Sequence, residues 1–317
     1  MVYVHLVGGF IYLLMGGDLL VRGAVALARR ARVSPMVVAF SVVAFGTSVP
    51  ELVVTLQASL TGYPELVLGN VVGSNIANVL LVVGASAVVY PLGSGQGSER
   101  RDAGIMMLVS FGFVLLCFLG DLTRVGGLLL LAGMVVVLVS TVRSTLHEYQ
   151  SSDRTTPLEW VLGLPTQLGM IALFIVAGAV GLPVGASLMV EAAVDIAESF
   201  GVPQTVIGLT IVAIGTSLPE LATVVAAAMH RRTEVVVGTV MGSNTFNLLG
   251  IMGLGAALSQ RPITVSDRLL GQDLPVMLGV GMFLTAFVLA RRRIGRGTGL
   301  VFLGAYLTYL TLLLLSV

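Results

Sequence analysis

Residues 46–51 read Gly-Thr-Ser-Val-Pro-Glu, and 169 positions later residues 215–220 read Gly-Thr-Ser-Leu-Pro-Glu. The same offset, without a gap, carries Gly69 to Gly238, Gly73-Ser74-Asn75 to Gly242-Ser243-Asn244, Asn78 to Asn247 and Gly84 to Gly253. Chance does not hold one register over so many positions, so the chain is built twice. Both copies of the first motif lie in apolar runs, Met36 to Leu60 and Thr205 to Met229, each long enough to cross a bilayer. A carboxylate near the middle of such a run costs roughly 2.5–3.5 kcal/mol on insertion scales, so Glu51 and Glu220 each need a reason to be there.

The surroundings of the repeat are those of a membrane protein. Hydrophobic residues make up 56% of the chain and charged residues 10%, with a mean hydropathy of +1.01, against about 25% charged in soluble domains. Apolar runs between polar breaks predict ten spans, with cores near 2–28, 36–60, 66–90, 103–119, 125–142, 166–197, 204–229, 235–258, 273–290 and 298–316. No soluble domain fits between them. The longest polar connection, Arg143 to Thr156, divides the spans into two sets of five, residues 1–150 and 151–317. A repeat with an odd number of spans must insert its second copy upside down. The expected fold is therefore an all-α polytopic membrane protein, ten transmembrane helices in two inverted five-helix repeats, with broken helices at the centre.

Charge supports the inversion independently. All the basic residues are arginine. If spans alternate, Arg29, Arg30, Arg32, Arg100, Arg101, Arg143, Arg154, Arg231, Arg232, Arg291, Arg292, Arg293 and Arg296 share one side, and only Arg124, Arg261 and Arg268 take the other. The Arg-rich side is then cytoplasmic and both termini are outside, in the inner membrane of a prokaryote. The first apolar segment has no basic residue before it and reads as a retained span rather than a signal peptide. Cys117 is the sole cysteine, in an apolar run, and reads as packing.

The motifs carry oxygen chemistry. Pro50 has no N–H for the carbonyl of Gly46, so a helix arriving from Met36 should break there. Ser48 and Glu51 have the spacing of a capping box, with Ser48 capping the new half-helix. The carbonyls near Ala44, Phe45 and Gly46 become free ligands, and Pro219, Ser217, Glu220 and the carbonyls near Ala213 repeat this from the opposite side. Irregular backbone at membrane depth is tolerated only where it is buried in protein or lines a polar cavity. One Ser-x-x-Glu is commonly no more than a helix cap; two at mid-membrane would leave two burial penalties unrelieved. Gly69 and Gly73 have small-xxx-small spacing that would admit another helix, and Ser74 and Asn78 share a face four residues apart. Glu51, Glu220, Thr47, Thr216, Ser48, Ser217, Ser74, Ser243, Asn78, Asn247 and the carbonyls of Ala44 and Ala213 thus offer almost only oxygen. That suits calcium or sodium and not zinc or copper, since no His or Cys lies near either motif. Two glutamates balance one divalent or two monovalent cations, which suits exchange.

Paired Gly-Thr-Ser-x-Pro-Glu and Gly-Ser-Asn-x-x-Asn segments resemble the two alpha repeats of the calcium/cation antiporter superfamily, in particular its prokaryotic sodium/calcium exchangers. The resemblance covers both halves. It implies calcium held centrally by Glu51 and Glu220 with carbonyl help from Thr47 and Thr216. It also implies sodium sites drawing on Ala44, Thr47, Ser48 and Ser74 on one side and on Ala213, Thr216, Ser217 and Ser243 on the other. Spans one and six would slide past a fixed bundle. Several members carry an aspartate at one of the positions matched by Asn78 and Asn247, where this chain has asparagine at both, so the coupling ion stays open. The expected function is exchange of calcium for sodium by alternating access; a calcium/proton antiporter, with both glutamates carrying protons, and a passive cation channel are the alternatives. Enzyme chemistry is not expected, because His5, His147 and His230 sit at span ends without a partner that could activate a nucleophile. Calcium, sodium and the bilayer are the expected partners, with no cofactor, nucleic acid or obligate protein partner. Asp18 and Arg22 should pair along one helix face. Glu191, Asp195 and Glu198 should form a solvated face, and Glu65 and Glu234 should sit at helix N-termini.

Overall fold

The computed structural model describes residues 2–31, 33, 35–61, 64–93, 98–151, 164–201 and 213–315. Among them, eight helices are long and apolar enough to cross a membrane, and a ninth crossing is a bent pair. α1 is Val2–Ala31 and α2 is Pro35–Val38; a π-turn at Ala39–Val43 leads into α3, Ala44–Thr47, and α4 is Val49–Thr61. α5 (Pro64–Ala77) passes through a π-turn at Asn78–Val83 into α6, Gly84–Val89. α7 is Ser98–Phe118, α8 Arg124–Ser151 and α9 Leu168–Ser199. In the second half α10 is Ala213–Thr216, α11 Leu218–Met229 and α12 Thr233–Phe246, followed by a π-turn at Asn247–Ile251 and by α13, Met252–Leu258. A further π-turn at Leu269–Asp273 opens α14, Leu274–Leu289, and α15 is Arg296–Leu315. Most expected cores hold to within a few residues. α8 differs: it continues through the polar stretch after Arg143 to Ser151, because that stretch has no Pro or Gly to stop a helix. Residues 204–212, the first part of the expected seventh span, lie outside the described residues.

The repeat motifs occupy the centre. In the span Thr233–Leu258 94% of the apolar window is buried and in Leu66–Val89 72%, against 22% in α9 and 17% in α15, so the first two spans lie in the core while α9 and α15 lie at the outside. The asparagines at 78 and 247 each open a π-turn, a widening of the helix often found at functional sites. Two pairs of reciprocal hydrogen bonds, all 2.9 Å, join the halves: Leu92 with Ile294, and Leu122 with Ile263. Leu92 follows the third span and Ile263 the eighth, while Leu122 follows the fourth and Ile294 the ninth. Exchanging the repeats therefore turns one bridge into the other, as an inverted pseudo-twofold requires.

α1 and α9 lie along each other in close contact. A Cβ on Gly178 would come within 2.7 Å of the Leu20 backbone and 2.8 Å of the Gly16 carbonyl, and one on Gly185 within 2.8 Å of the Gly9 carbonyl. Small residues let these backbones approach, as in other membrane helix pairs. Gly17 likewise lets α1 lean on Ala222 of α11, where its Cβ would meet that carbonyl at 2.9 Å.

Candidate ion-binding site

At Ser48 the chain leaves helical geometry (φ −85°, ψ 10°), and the segments Ala39–Thr47 and Val49–Leu60 meet at 53°. Pro50 explains the position, since the turn that would use its N–H cannot close. Ser217 has nearly the same conformation (φ −87°, ψ 0°), with Pro219 in the same place. The two breaks face each other: Ser48 donates its hydroxyl to Glu220 Oε1 at 3.0 Å. Glu51 and Glu220 are both 2% exposed and form no ion pair among the described residues. Oε2 of each has no hydrogen-bond partner there.

Two local expectations are corrected. The cap is not made in the second half: Ser217 makes no side-chain cap bond, and its hydroxyl has no partner among the described residues. Ser48 donates its hydroxyl proton across the repeat to a buried carboxylate, a strong acceptor. The Ala44 carbonyl is not wholly released either, because it accepts Ser48 N–H at 3.1 Å and the Thr47 hydroxyl at 3.2 Å; its remaining ligand capacity is what a carbonyl's second lone pair allows. In the second half the Ser217 N–H goes to Ile214 at 3.0 Å, a tighter turn that bypasses Ala213.

The second motif closes the chamber. Ser74 and Ser243 are buried; Ser74 donates to the Asn70 carbonyl at 2.7 Å, and the Ser243 hydroxyl has no partner among the described residues. Asn78 donates to Asn244 Oδ1 at 3.0 Å, and Asn244 in turn reaches the Asn75 carbonyl at 3.4 Å. Asn78 Oδ1 and both side-chain polar atoms of Asn247 are buried and have no partner among the described residues. Thr47 is fully buried, Thr216 9% exposed. Asn75 and Asn244 were not chosen as site residues from the sequence, although their recurrence in both Gly-Ser-Asn segments was the signal that could have found them. Asn70 was hidden, because its repeat counterpart is Thr239. It donates to the Glu51 carbonyl at 3.1 Å and to Thr55 Oγ1 at 3.0 Å, fixing the glutamate's turn. The small-xxx-small expectation is met at Gly242 and not at Gly69 or Gly73. Gly242 packs on the Phe40 backbone and Ala44, whereas no described residue lies within 4 Å of a Cβ on Gly69 or Gly73.

Among the described residues no group of three or more His, Cys, Asp and Glu comes together. Asp18 does pair with Arg22, at 2.9 Å, but it also binds His230 Nε2 at 2.6 Å. His230 is therefore not without an acidic partner, as its place at a span end suggested; folding brings α1 against the end of α11. Glu191, Asp195 and Glu198 are exposed, Glu234 lies in the first turn of α12, and Cys117 is buried.

A family model described as sodium/calcium exchanger protein matches residues 1–143 and 170–315. The chain belongs to that family. The exchanger is 30% identical to the sodium/calcium exchanger MaX1 of Methanosarcina acetivorans over 96% of each chain, and 33% identical to the inner membrane protein YrbG of Escherichia coli, covering 97% of this chain and 95% of that one. Its fold matches the sodium-calcium exchanger NCX_Mj with a TM-score of 0.85 at 29% identity, over 99% of this chain and 100% of that one. It is thus an integral membrane cation/calcium antiporter by family, all-α, with ten transmembrane helices in two inverted repeats of five.

Proposed function

We propose that this exchanger moves calcium against sodium, with calcium between Glu51 and Glu220 and sodium at flanking positions drawn from Thr47, Ser48, Ser74 and Ala44 and from Thr216, Ser217, Ser243 and Ala213. The observation that carries the reading is the pair of buried carboxylates, each with one oxygen lacking a partner and no cationic side chain to offset it among the described residues. An uncompensated buried charge costs several kcal/mol, and a hard cation with six to eight oxygen ligands removes that cost. Asn78 and Asn247 are neutral, so the two glutamates alone set the charge that one calcium or two sodium ions balance. The α1–α9 contact, where glycines bring the two backbones together, supports these helices as the moving pair. Both termini outside, residues 1–150 and 151–317 as the two repeats, and an inner-membrane location complete the reading. The arginine distribution supports the orientation.

The test is calcium uptake by proteoliposomes loaded with sodium. An outward sodium gradient should drive uptake, and Glu51→Gln or Glu220→Gln should each abolish it. Uptake that ignores sodium and follows a pH gradient would replace sodium by protons as the coupling ion. Uptake dependent on neither would overturn exchange.

A further inference from the structure

The two half-helices that carry the glutamates are held in different ways. On the first, the side-chain amide of Asn70 on α5 donates twice, to the Glu51 carbonyl at 3.1 Å and to Thr55 Oγ1 at 3.0 Å, one for each of its hydrogens. Glu51 and Thr55 are four apart and share one face of α4, so one side chain reaches two successive turns of that helix. Thr55 is fully buried and its carbonyl accepts the Ser59 hydroxyl at 2.8 Å. Gly255 of α13 packs on the same place, where its Cβ would lie 2.9 Å from Thr55 Cγ2 and 3.3 Å from Ser59 Oγ. At the repeat offset Thr239, Val224 and Ala228 stand where Asn70, Thr55 and Ser59 do. Val224 offers no hydroxyl, and Thr239, fully buried, has no partner for its own among the described residues. The Glu220 carbonyl therefore receives nothing from the position that serves Glu51.

We propose that Asn70 is a positioning residue for ion binding: it fixes the half-helix of Glu51 to α5, making Glu51 the preset carboxylate of the pair and Glu220 the adjustable one. The inference rests on the reading of Glu51 and Glu220 as calcium ligands. A bond to the carbonyl steadies Glu51 without using a carboxylate oxygen, whereas Ser48 bonds Glu220 at Oε1 and competes there with a cation. Groups that orient a metal ligand without touching the metal are typically worth 10–100-fold in affinity.

Full-length protein in detergent would be titrated with calcium and the midpoint read from the rise in unfolding temperature. Asn70→Thr, which gives the first copy the residue of the second, should raise that midpoint about ten-fold, and the calcium concentration for half-maximal uptake in sodium-loaded proteoliposomes should rise with it. Thr239→Val removes a hydroxyl without a partner and should leave the midpoint within about two-fold. Thr55→Val keeps the bond to Glu51 and gives up the other; it should lower the ion-free unfolding temperature as Asn70→Thr does, yet weaken calcium less than about three-fold. Asn70→Ala, which fits wherever asparagine does, decides the matter if the threonine variant does not fold. A calcium midpoint unchanged in the Asn70 variants would overturn the role, as would an equal loss in Thr239→Val or in Thr55→Val, since helix packing alone would then explain it. Glu51→Gln keeps the two readings apart. Calcium binding unaffected by that change would overturn the ligand assignment itself, whereas a loss there with none in the Asn70 variants would overturn the role of Asn70 alone.

Discussion

The most consequential residues are those that are buried with nothing to satisfy them. Removing one of two carboxylates from a cation leaves a buried charge balance broken, worth about 3–5 kcal/mol, or roughly two to three decades of affinity. Glu220→Gln should therefore bind calcium at least a hundred-fold more weakly by that estimate, read by calcium-dependent thermal stabilisation. Without calcium the same variant should unfold at a higher temperature than wild type, because Gln removes the uncompensated charge and keeps an oxygen for Ser48. A lower midpoint in ion-free buffer would contradict the account of the site. The asparagines separate by partner. Asn244→Ala leaves the Asn78 amide unpaired and should cost about 1–3 kcal/mol in unfolding experiments. Asn247→Ala should cost less, since its amide has no partner among the described residues. The sequence marked Asn78 and Asn247 but not Asn75 and Asn244, because all four recur at the same offset and only the fold shows which side chains meet. The meeting is asymmetric: Ser48 bonds Glu220 and Asn78 bonds Asn244, while the repeat-related Ser217 hydroxyl, both side-chain polar atoms of Asn247 and Oδ1 of Asn75 are unpartnered among the described residues.

Among elements, the α1–α9 pair makes the sharpest test. Gly178→Val must push the helices apart, because even a Cβ would lie 2.7 Å from Leu20. Transport by this variant should fall at least ten-fold, overpacking of this kind costing about 1–3 kcal/mol. Calcium-dependent stabilisation should persist, since no proposed ligand lies on either helix. Gly8→Ala has nothing within 4 Å and should transport normally. The breaks at Ser48 and Ser217 were legible because Pro50 and Pro219 forbid a continuous helix. The π-turns at Asn78 and Asn247 were not, because no residue type enforces them; they form where the asparagine side chains and their carbonyls are drawn into the centre. Nor was the Asp18–His230 contact legible, since nothing local relates positions 212 apart in sequence.

For the whole molecule, orientation is the property to test. In a Cys117→Ser background, Arg261→Cys should react with an impermeant maleimide added to intact cells, and Arg292→Cys should react only after the membrane is opened; both side chains are exposed. The reverse pattern would invert the arginine argument. The sequence by itself determined that the chain lives in a membrane, that it is built twice with opposite orientation, and that two glutamates and two proline breaks lie at the same point of each copy. These follow from local chemistry: apolar length, the missing proline N–H, the cost of a carboxylate in lipid, and a repeat read in register. Only the tertiary structure decided what those groups do to one another. It sends the Ser48 proton to Glu220 of the other repeat, pairs Asn78 with Asn244, ties Leu92 to Ile294 and Leu122 to Ile263, and sets α1 on α9 through glycines. Hydrogen bonds and close packing depend on distances between segments far apart in the chain, and the repeat fixes which residues correspond, not which of them touch.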